Sequence, residues 1–148
     1  MNIKEQLTHD MKEAMRAQEK FRLLVIRSAL AAIKQIEVDT RTVLDDGALV
    51  GVIQKMLKQR KESIKQYEAA QRQDLADVEH AESEILNHYL PAQMDQAAVK
   101  ALITQAIANT QAHGVKDMGK VMAAVKPKLA GVADMGQVSQ WIKEALSA

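Results

Sequence analysis

The amino-acid sequence predicts an all-α fold, an N-terminal four-helix region followed by a small three-helix tail domain, from its composition and its apolar periodicity. Aromatic residues make up only 3% of the chain, so the core has to consist of aliphatic side chains. Eight Met and many Ala favour helices, because straight-chain side chains lose little rotamer freedom in a helix and Ala loses none. The turn signals that β-sandwiches and barrels show about every 8–12 residues are missing.

Composition and charge exclude several classes of protein. The chain has 148 residues, no Cys, 26% charged residues and a formal net charge of +1. These values exclude a disordered tail, a disulfide scaffold and whole-molecule electrostatic attraction to a partner. The longest strongly apolar run, Leu23 to Ile26, is far shorter than the roughly 20 residues of a membrane span. The first residues show no apolar signal-peptide core, and we expect a cytoplasmic location. The lack of Cys fits a cytosolic protein, although it fits a Cys-free secreted protein as well.

The first two predicted helices follow from apolar residues that recur every three or four positions. The first helix carries a stripe formed by Ile3, Leu7, Met11 and Met15. The second carries one formed by Phe21, Leu24, Val25, Ser28, Ala32 and Ile36. Periodicity leaves open whether the polar residues 17–20 break the helix or form one exposed turn.

A polar, Asp-rich loop is predicted from Glu37 to Gly47, with the N-cap of a third helix at Asp45 or Asp46. The apolar positions of this third helix are Leu49, Val52, Ile53, Met56, Leu57, Ile64 and Tyr67. A fourth helix is predicted for residues 74–89, and its apolar stripe consists of Leu75, Val78, Ile85, Leu86 and Tyr89. Pro91 ends the pattern, because the residue before a proline disfavours helix.

The character of the sequence changes at Pro91, where we place a boundary between two domains, residues 1–91 and 92–148. The first part holds 14 basic and 15 acidic residues and the second only six and four, so their net charges are −1 and +2. Three shorter helices are predicted beyond the boundary. They run from Asp95 to Ala112, from Asp117 to Lys126 with Pro127 ending it, and from Asp134 to the C-terminus, with Asp134 and Gln137 as a capping box.

Three lysines of the third helix, Lys58, Lys61 and Lys65, fall within a stripe of about 60° that lies apart from the apolar residues. Arg72 joins them if the helix extends that far. Such a row of cations is able to follow the phosphates of a nucleic acid. The alternative is a solvated face with helix ion pairs. No aromatic residues alternate with the lysines, which argues against stacking on bases.

Two charged residues interrupt apolar stripes. Arg60 lies in the middle of the apolar face of the third helix, and Glu82 lies in that of the fourth. Because an unpaired buried ion costs several kcal/mol, we predict that Arg60 pairs with Glu82, with Glu79 sharing the contact. We interpret the pair as structural rather than catalytic, because no nucleophile or His accompanies it.

The sequence shows no autonomous catalytic, metal or cofactor site. His80, Glu84 and His88 share a helical face at a spacing compatible with a metal ion, but that face is predicted to be open to water. We therefore predict no metal and no cofactor. Gly-rich phosphate loops and the GxSxG motif are absent, and the lack of Cys excludes a thiol nucleophile.

The tail contains the most specific string of residues. It runs from Asp117, a candidate N-cap, through Gly119 to Met122 and is followed by a Lys-Pro-Lys turn. Lys120, Lys126 and Lys128 concentrate positive charge there, and Gly119 would let a phosphate or another backbone approach closely. The alternative is that Gly119 serves a helix crossing and the lysines are only solvated.

Taken as a set, these strings resemble the GatB/YqeY family over nearly the whole chain. The matching residues are Arg60 to Ile64, Arg72 with Asp74 and Leu75, Glu79 with Glu82, Tyr89 to Pro91, Asp117 to Met122, and Gly131 with Ala133 and Asp134. The tail is similar to the tail domain of the B subunit of the glutamine-dependent aminoacyl-tRNA amidotransferase. The resemblance implies an all-α fold and tRNA contact through Lys120, Lys126 and Lys128. Family-level descriptions attach a carbon–nitrogen ligase activity with glutamine as amide donor, but the parts that carry this chemistry are absent here.

The tail departs from the family pattern at three positions. Ala123 replaces a common Gly, Val132 stands where Arg is frequent, and Ala130 occupies a position that is often basic. These changes reduce the positive charge and the capacity for close approach.

The leading functional hypothesis is a non-catalytic helical protein that binds tRNA or an aminoacyl-tRNA amidotransferase assembly. A protein-interaction adaptor is the alternative, with Met118, Met122 and Met135 as an exposed, adaptable docking surface. An accessory factor that stimulates an amidotransferase without activity of its own is the third possibility.

Overall fold

The computed structural model describes all 148 residues and contains helices and connecting turns. The helices are α1 (Ile3–Arg16), α2 (Lys20–Thr40), α3 (Asp46–Ala69), α4 (Gln73–Asn87), α5 (Gln96–Thr110), α6 (Met118–Leu129) and α7 (Met135–Ser147), with a single 3-10 turn at Val115–Asp117. The predicted all-α fold is confirmed. The chain divides into two compact units, Met1–Leu90 and Pro91–Ala148. That these units are domains able to fold separately stays a prediction.

The first unit, α1 to α4, surrounds an aliphatic core in which Tyr89 is the only buried aromatic side chain. The buried core residues are Ile3, Leu7, Ala14, Val25, Ile26, Ala29, Ile33, Leu49, Val52, Ile53, Met56, Leu86 and Tyr89. Burial of aliphatic area of this kind is the main favourable contribution to folding.

The helix ends in the first unit are set by local side-chain chemistry. Asn2 and Glu5 form a reciprocal capping box at the start of α1, and the Asp45 carboxylate accepts the Ala48 N–H at the start of α3. The polar stretch after α1 is a true break, since Gln18 adopts a left-handed conformation with φ +57°. The predicted loop from Glu37 begins too early, because α2 continues to Thr40.

Half of the apolar stripe predicted for α2 is exposed, whereas Val25 is buried and Ala32 and Ile36 pack against the core. Phe21 is 41% and Leu24 64% exposed, and Ser28 is exposed as well. The buried residues of α2 are Val25, Ile26, Ala29 and Ile33. The sequence of α2 contains two apolar faces. On the face formed by Ile26, Ala29 and Ile33, the small side chain of Ala29 lets α2 approach its neighbouring helices closely.

Helices α3 and α4 pack on each other and extend beyond the common core. No residue after Leu57 on α3 or before Ile85 on α4 belongs to the core cluster. The residues between them therefore form a two-helix hairpin, and Ala76 is fully buried within it. Val78, which the apolar stripe of α4 was predicted to bury, is 46% exposed, because the hairpin has no further helix to cover that side.

The second unit packs α5, α6 and α7 around its own aliphatic core. Helix α6 does not end at Pro127 as predicted but continues to Leu129. A proline inside a helix removes the bond to the carbonyl four residues earlier. Here both Pro127 and Ala123 are exposed, so water is able to bind that carbonyl, while the last turn buries Leu129 completely.

Two caps in the second unit differ from the expectation. The Asp134 carboxylate accepts the Gly136 N–H at 2.9 Å, and the reciprocal bond from Gln137 that a capping box requires is not formed. Asp117 does not cap α6, because its carboxylate instead accepts the N–H of His113 at 2.8 Å. This bond lowers the pKa of Asp117.

A polar network connects Tyr89, just after α4, with α1 and α2. The buried Tyr89 hydroxyl donates to Oδ2 of Asp10 at 2.5 Å, and Nη2 of Arg22 lies 3.7 Å from the same oxygen. Burial, followed by the bond to Asp10, raises the pKa of Tyr89 far above its usual range.

Tyr89→Phe is expected to lower the free energy of unfolding by about 1.5–3 kcal/mol, because it removes a hydrogen bond to a carboxylate of low exposure. Urea unfolding followed by circular dichroism measures the change. Tyr67→Phe is the matched control, since Tyr67 lies outside the core and its hydroxyl makes no hydrogen bond to the protein. Equal stability of Tyr89→Phe and the wild type would show that the network does not hold the first unit together.

Candidate nucleic-acid interface

Lys58, Lys61 and Lys65 are exposed on one stripe of α3 and take part in no salt bridge. With a rise of about 1.5 Å per residue, the row spans about 10 Å along the helix. Arg72 does not extend it, because α3 ends at Ala69 and Arg72 precedes α4. Its guanidinium instead makes two 3.0 Å hydrogen bonds to the Asp74 carboxylate, which raise the pKa of Arg72.

The lysine row lies on the hairpin, beyond the common core. All three residues come after Leu57, the last residue of α3 that packs against the core cluster. Like charges at i, i+3 and i, i+4 repel each other on an isolated helix. The exposed Glu62 and Glu68 lie one helical turn from members of the row and partly offset this repulsion.

Arg60 lies on the other side of α3 and faces α4. Its Nε donates to Oε2 of Glu82 at 3.0 Å and its Nη1 donates to the Met56 carbonyl at 3.2 Å. The two side chains are 14% and 20% exposed, so the pair is largely shielded from water. The ion pair fixes the two helices at the point where the core ends.

Glu79 does not share this contact. It makes no salt bridge or side-chain hydrogen bond to Arg60. Its partial burial and the neighbouring charge of Glu82 raise the pKa of Glu79, and the Arg60 charge only partly opposes this.

The three tail lysines do not share one stripe. Lys120, Lys126 and Lys128 are all exposed, but their positions spread over an arc of about 200° around α6. Lys126 and Lys128 lie in the last turn, where cations favourably offset the negative end of the helix dipole. Two of the three lysines therefore have a structural contribution of their own.

The start of α6 is open. A Cβ added at Gly119 would meet no heavy atom within 4 Å, so this glycine is not required for a helix crossing within the chain. The neighbouring charge of Lys120 adds to the lowering of the Asp117 pKa. Lys120 is thus the tail lysine that stands beside exposed backbone.

Trp141 lies at an open pocket that the sequence pattern did not predict. The ammonium of Lys100 lies 5.2 Å from the centre of its ring, within range of a cation–π interaction. An open pocket of about 290 Å³ adjoins the ring and is lined by Lys100, Ile103, Thr104, Trp141, Glu144 and Ala145. The signal that could have found it is the presence of a single Trp in a chain otherwise poor in aromatics.

The other candidate groups are not assembled into a site. His80 lies 3.7 Å from the Glu68 carboxylate, and His88 packs edge-on against Tyr89. No three His, Asp or Glu side chains come together in a geometry that could hold a metal ion. None of the helices combines the length and apolar character needed to cross a membrane.

The methionine docking surface is not formed as expected. Met118, Met122 and Met135 are partly buried and pack against the core of the second unit. The prediction of an exposed patch is wrong because these flexible side chains fill space around the aliphatic core.

Comparison with known proteins identifies related chains. A family model described as "Yqey-like protein" matches residues 4–146. The protein named "Altered inheritance of mitochondria protein 41, mitochondrial" from Pyrenophora tritici-repentis is 31% identical over 146 residues, which cover 96% of this chain and 80% of that protein. Proteins of the same name from Candida glabrata and Meyerozyma guilliermondii are 37% and 39% identical, covering 60% and 57% of this chain.

The matches with the last two relatives span about half of those proteins, 50% and 44% of their lengths. All three names include the word "mitochondrial", which contradicts the expected cytoplasmic location. The expectation failed because a lack of Cys and of a long apolar run does not distinguish one aqueous compartment from another.

Arg60→Met is expected to lower the free energy of unfolding by about 1–3 kcal/mol, because it leaves the Glu82 carboxylate largely shielded and unpaired. Arg60→Met combined with Glu82→Met should recover to within about 1 kcal/mol of the wild type, since the unpaired charge is removed. Urea unfolding of both single variants and the double variant measures the coupling energy.

Arg72→Met is the control for this cycle, because its partner Asp74 is well exposed and the pair should contribute little. Additive effects of the Arg60 and Glu82 substitutions would rule out a coupled pair.

Proposed function

Because the chain belongs to the Yqey-like protein family, we propose that it is a non-catalytic helical protein that binds tRNA through its phosphate backbone. The observation that supports this most directly is the row of Lys58, Lys61 and Lys65 on the hairpin. These cations are exposed, share one stripe and have no carboxylate partner within salt-bridge distance.

Binding through such a row is a matter of charge rather than of base recognition. Each lysine that neutralises a phosphate releases condensed counterions, which makes the affinity depend steeply on salt. Tyr67, the aromatic residue nearest the row in sequence, lies on the opposite side of α3, so stacking on bases does not contribute at the row. The expected ligand surface is therefore the RNA backbone, with little preference for base sequence.

The tail provides a second, weaker contact in this proposal. A role for Lys120, Lys126 and Lys128 rests on the resemblance of the tail sequence to that of the amidotransferase B subunit. Lys120 stands beside the open backbone at Gly119, where a phosphate could approach without meeting a side chain. Because Lys126 and Lys128 lie on other sides of α6, a single RNA strand would not contact all three equally.

Changing Lys58, Lys61 and Lys65 together to Glu should weaken binding of total tRNA at least about tenfold, because it replaces three phosphate contacts by repulsion. The same change at Lys120, Lys126 and Lys128 should weaken it less. Fluorescence anisotropy with labelled tRNA at several salt concentrations measures both, and the wild-type slope of log K against log salt should be about −2 to −4.

The matched control changes Lys12, Lys20 and Lys143 to Glu. These lysines are exposed and outside every salt bridge, so the net charge changes equally without touching either site. Undetectable binding by the wild type at low salt, or an equal loss in the control variant, would contradict the proposal.

A further inference from the structure

The outward side of α2 carries a regular strip that none of the functions above uses. Its members follow one another at alternating steps of four and three residues and are Lys20, Leu24, Arg27, Ala31, Lys34, Val38 and Arg41. The first six lie on the helix, and Arg41 is the C-cap residue, whose φ of +54° places it just beyond the helical face. All seven are exposed, and Leu24 and Val38 are 64% and 62% exposed. The strip lies on the side of α2 opposite its buried residues and extends over about 30 Å.

The positive charge of this strip is not compensated within the chain. None of its four cations takes part in a salt bridge. The acidic residues of α2 and its N-cap are engaged elsewhere: Glu19 binds Arg22, Glu37 binds Lys4, and Asp39 accepts a hydrogen bond from Gln35. The strip itself contains no acid.

The alternating spacing is that of a seam between two packed helices. Cations occupy one of the two seam positions, and Leu24, Ala31 and Val38 occupy the other. The small side chain of Ala31 at the midpoint would let a second helix approach closely. A second copy of the same strip does not fit, because it would bring the cations of both copies into one seam without an acid.

The strip continues into a groove at its C-terminal end. This groove has a volume of about 580 Å³ and is lined by Lys4, Leu30, Lys34, Glu37, Val38, Arg41, Thr42 and Val43. Three of these residues, Lys34, Val38 and Arg41, belong to the strip. Val43 is 84% exposed, so the groove offers apolar surface beside two cations. A large aliphatic side chain with a neighbouring carboxylate would match it.

We propose that the outward face of α2 is the docking surface for an acidic amphipathic helix of a partner protein. Such a helix carries Glu or Asp at seven-residue intervals, opposite the cations, and aliphatic side chains between them. Opposite charges across the seam fix the register and the orientation of the two helices.

Two other anionic partners fit the strip less well. An RNA backbone would use the cations but leaves the exposed Leu24 and Val38 without a role. A helix that lies on an anionic membrane carries its cations beside a continuous apolar face. In α2 the cations and the apolar residues share one strip.

The test uses a fluorescently labelled synthetic helix of about three heptads, with Glu and Leu at the positions complementary to the strip. A scrambled peptide of the same composition has the same charge. Anisotropy measured with the full chain should show the designed peptide binding at least about tenfold more tightly than the scrambled one. Equal binding of the two peptides would overturn the proposal.

Substitutions test whether the peptide binds to the α2 strip. Arg27→Glu with Lys34→Glu should weaken peptide binding at least about tenfold, whereas Lys58→Glu with Lys65→Glu, an equal change in net charge, should change it less than about twofold. Equal effects of the two pairs would overturn the proposal, because attraction would then be non-specific. Circular dichroism confirms that each variant is folded.

A third variant separates the partner classes. Leu24→Ser with Val38→Ser alters only exposed side chains and should weaken peptide binding while leaving tRNA binding unchanged. If peptide binding stays intact and tRNA binding is lost, the face binds RNA instead. If peptide binding stays intact and binding to phosphatidylserine vesicles is lost, the face binds lipid instead. Self-association in sedimentation that Arg27→Glu with Lys34→Glu abolishes would assign it to a second copy. Either result overturns the proposal, and tRNA binding through Lys58, Lys61 and Lys65 is measured independently.

Discussion

The ion pair between Arg60 and Glu82 marks the point where the common core of the first unit ends and the hairpin begins. Toward the core, Met56 and Leu86 pack among the other helices, and away from it α3 and α4 have only each other. A hydrogen-bonded charge pair has a defined geometry. Together with the packing of α3 against α4 around the buried Ala76, this contact orients the hairpin surface, including the row that begins at Lys58.

The distribution of charge follows from the same architecture. A small helical unit needs one buried face per helix, and the remaining faces are free to carry charge. On α3 the free face carries lysines without partners, and on α2 it carries alternating cations and aliphatic residues. The near-zero net charge of the chain therefore conceals two local positive surfaces, with most acids engaged at helix ends or in pairs such as that of Glu37 with Lys4.

The sequence was sufficient for the features that depend on local periodicity and was insufficient for those that depend on packing. The all-helical fold and the cap at Asp45 follow from composition and from the preference of Asp for an N-cap. The buried face of α2 does not, because Phe21 and Leu24 look as suitable for a core as Ile26 and only the neighbouring helices decide. The sequence pattern therefore does not reveal the α2 strip, because it places Leu24 in the interior.

The same limit applies to single residues. The local chemistry of Pro127 predicts the end of a helix, but α6 continues to Leu129 because its last turn buries this side chain. Asp117 has the residue type of a cap, but its carboxylate is taken by the N–H of His113. The pocket beside Trp141 arises from two helices distant in sequence, so no local pattern could indicate it.

In the proposed function, a hairpin without core neighbours presents its lysine row to the tRNA backbone. Nuclear magnetic resonance of the ¹⁵N-labelled chain during titration with tRNA examines this contact, because each backbone amide reports its own surroundings. The amides around Lys58, Lys61 and Lys65 should shift or broaden first, with a smaller response near Lys120, and added salt should reverse both. Perturbation confined to α2 or α7, or none at low salt, would contradict the proposal.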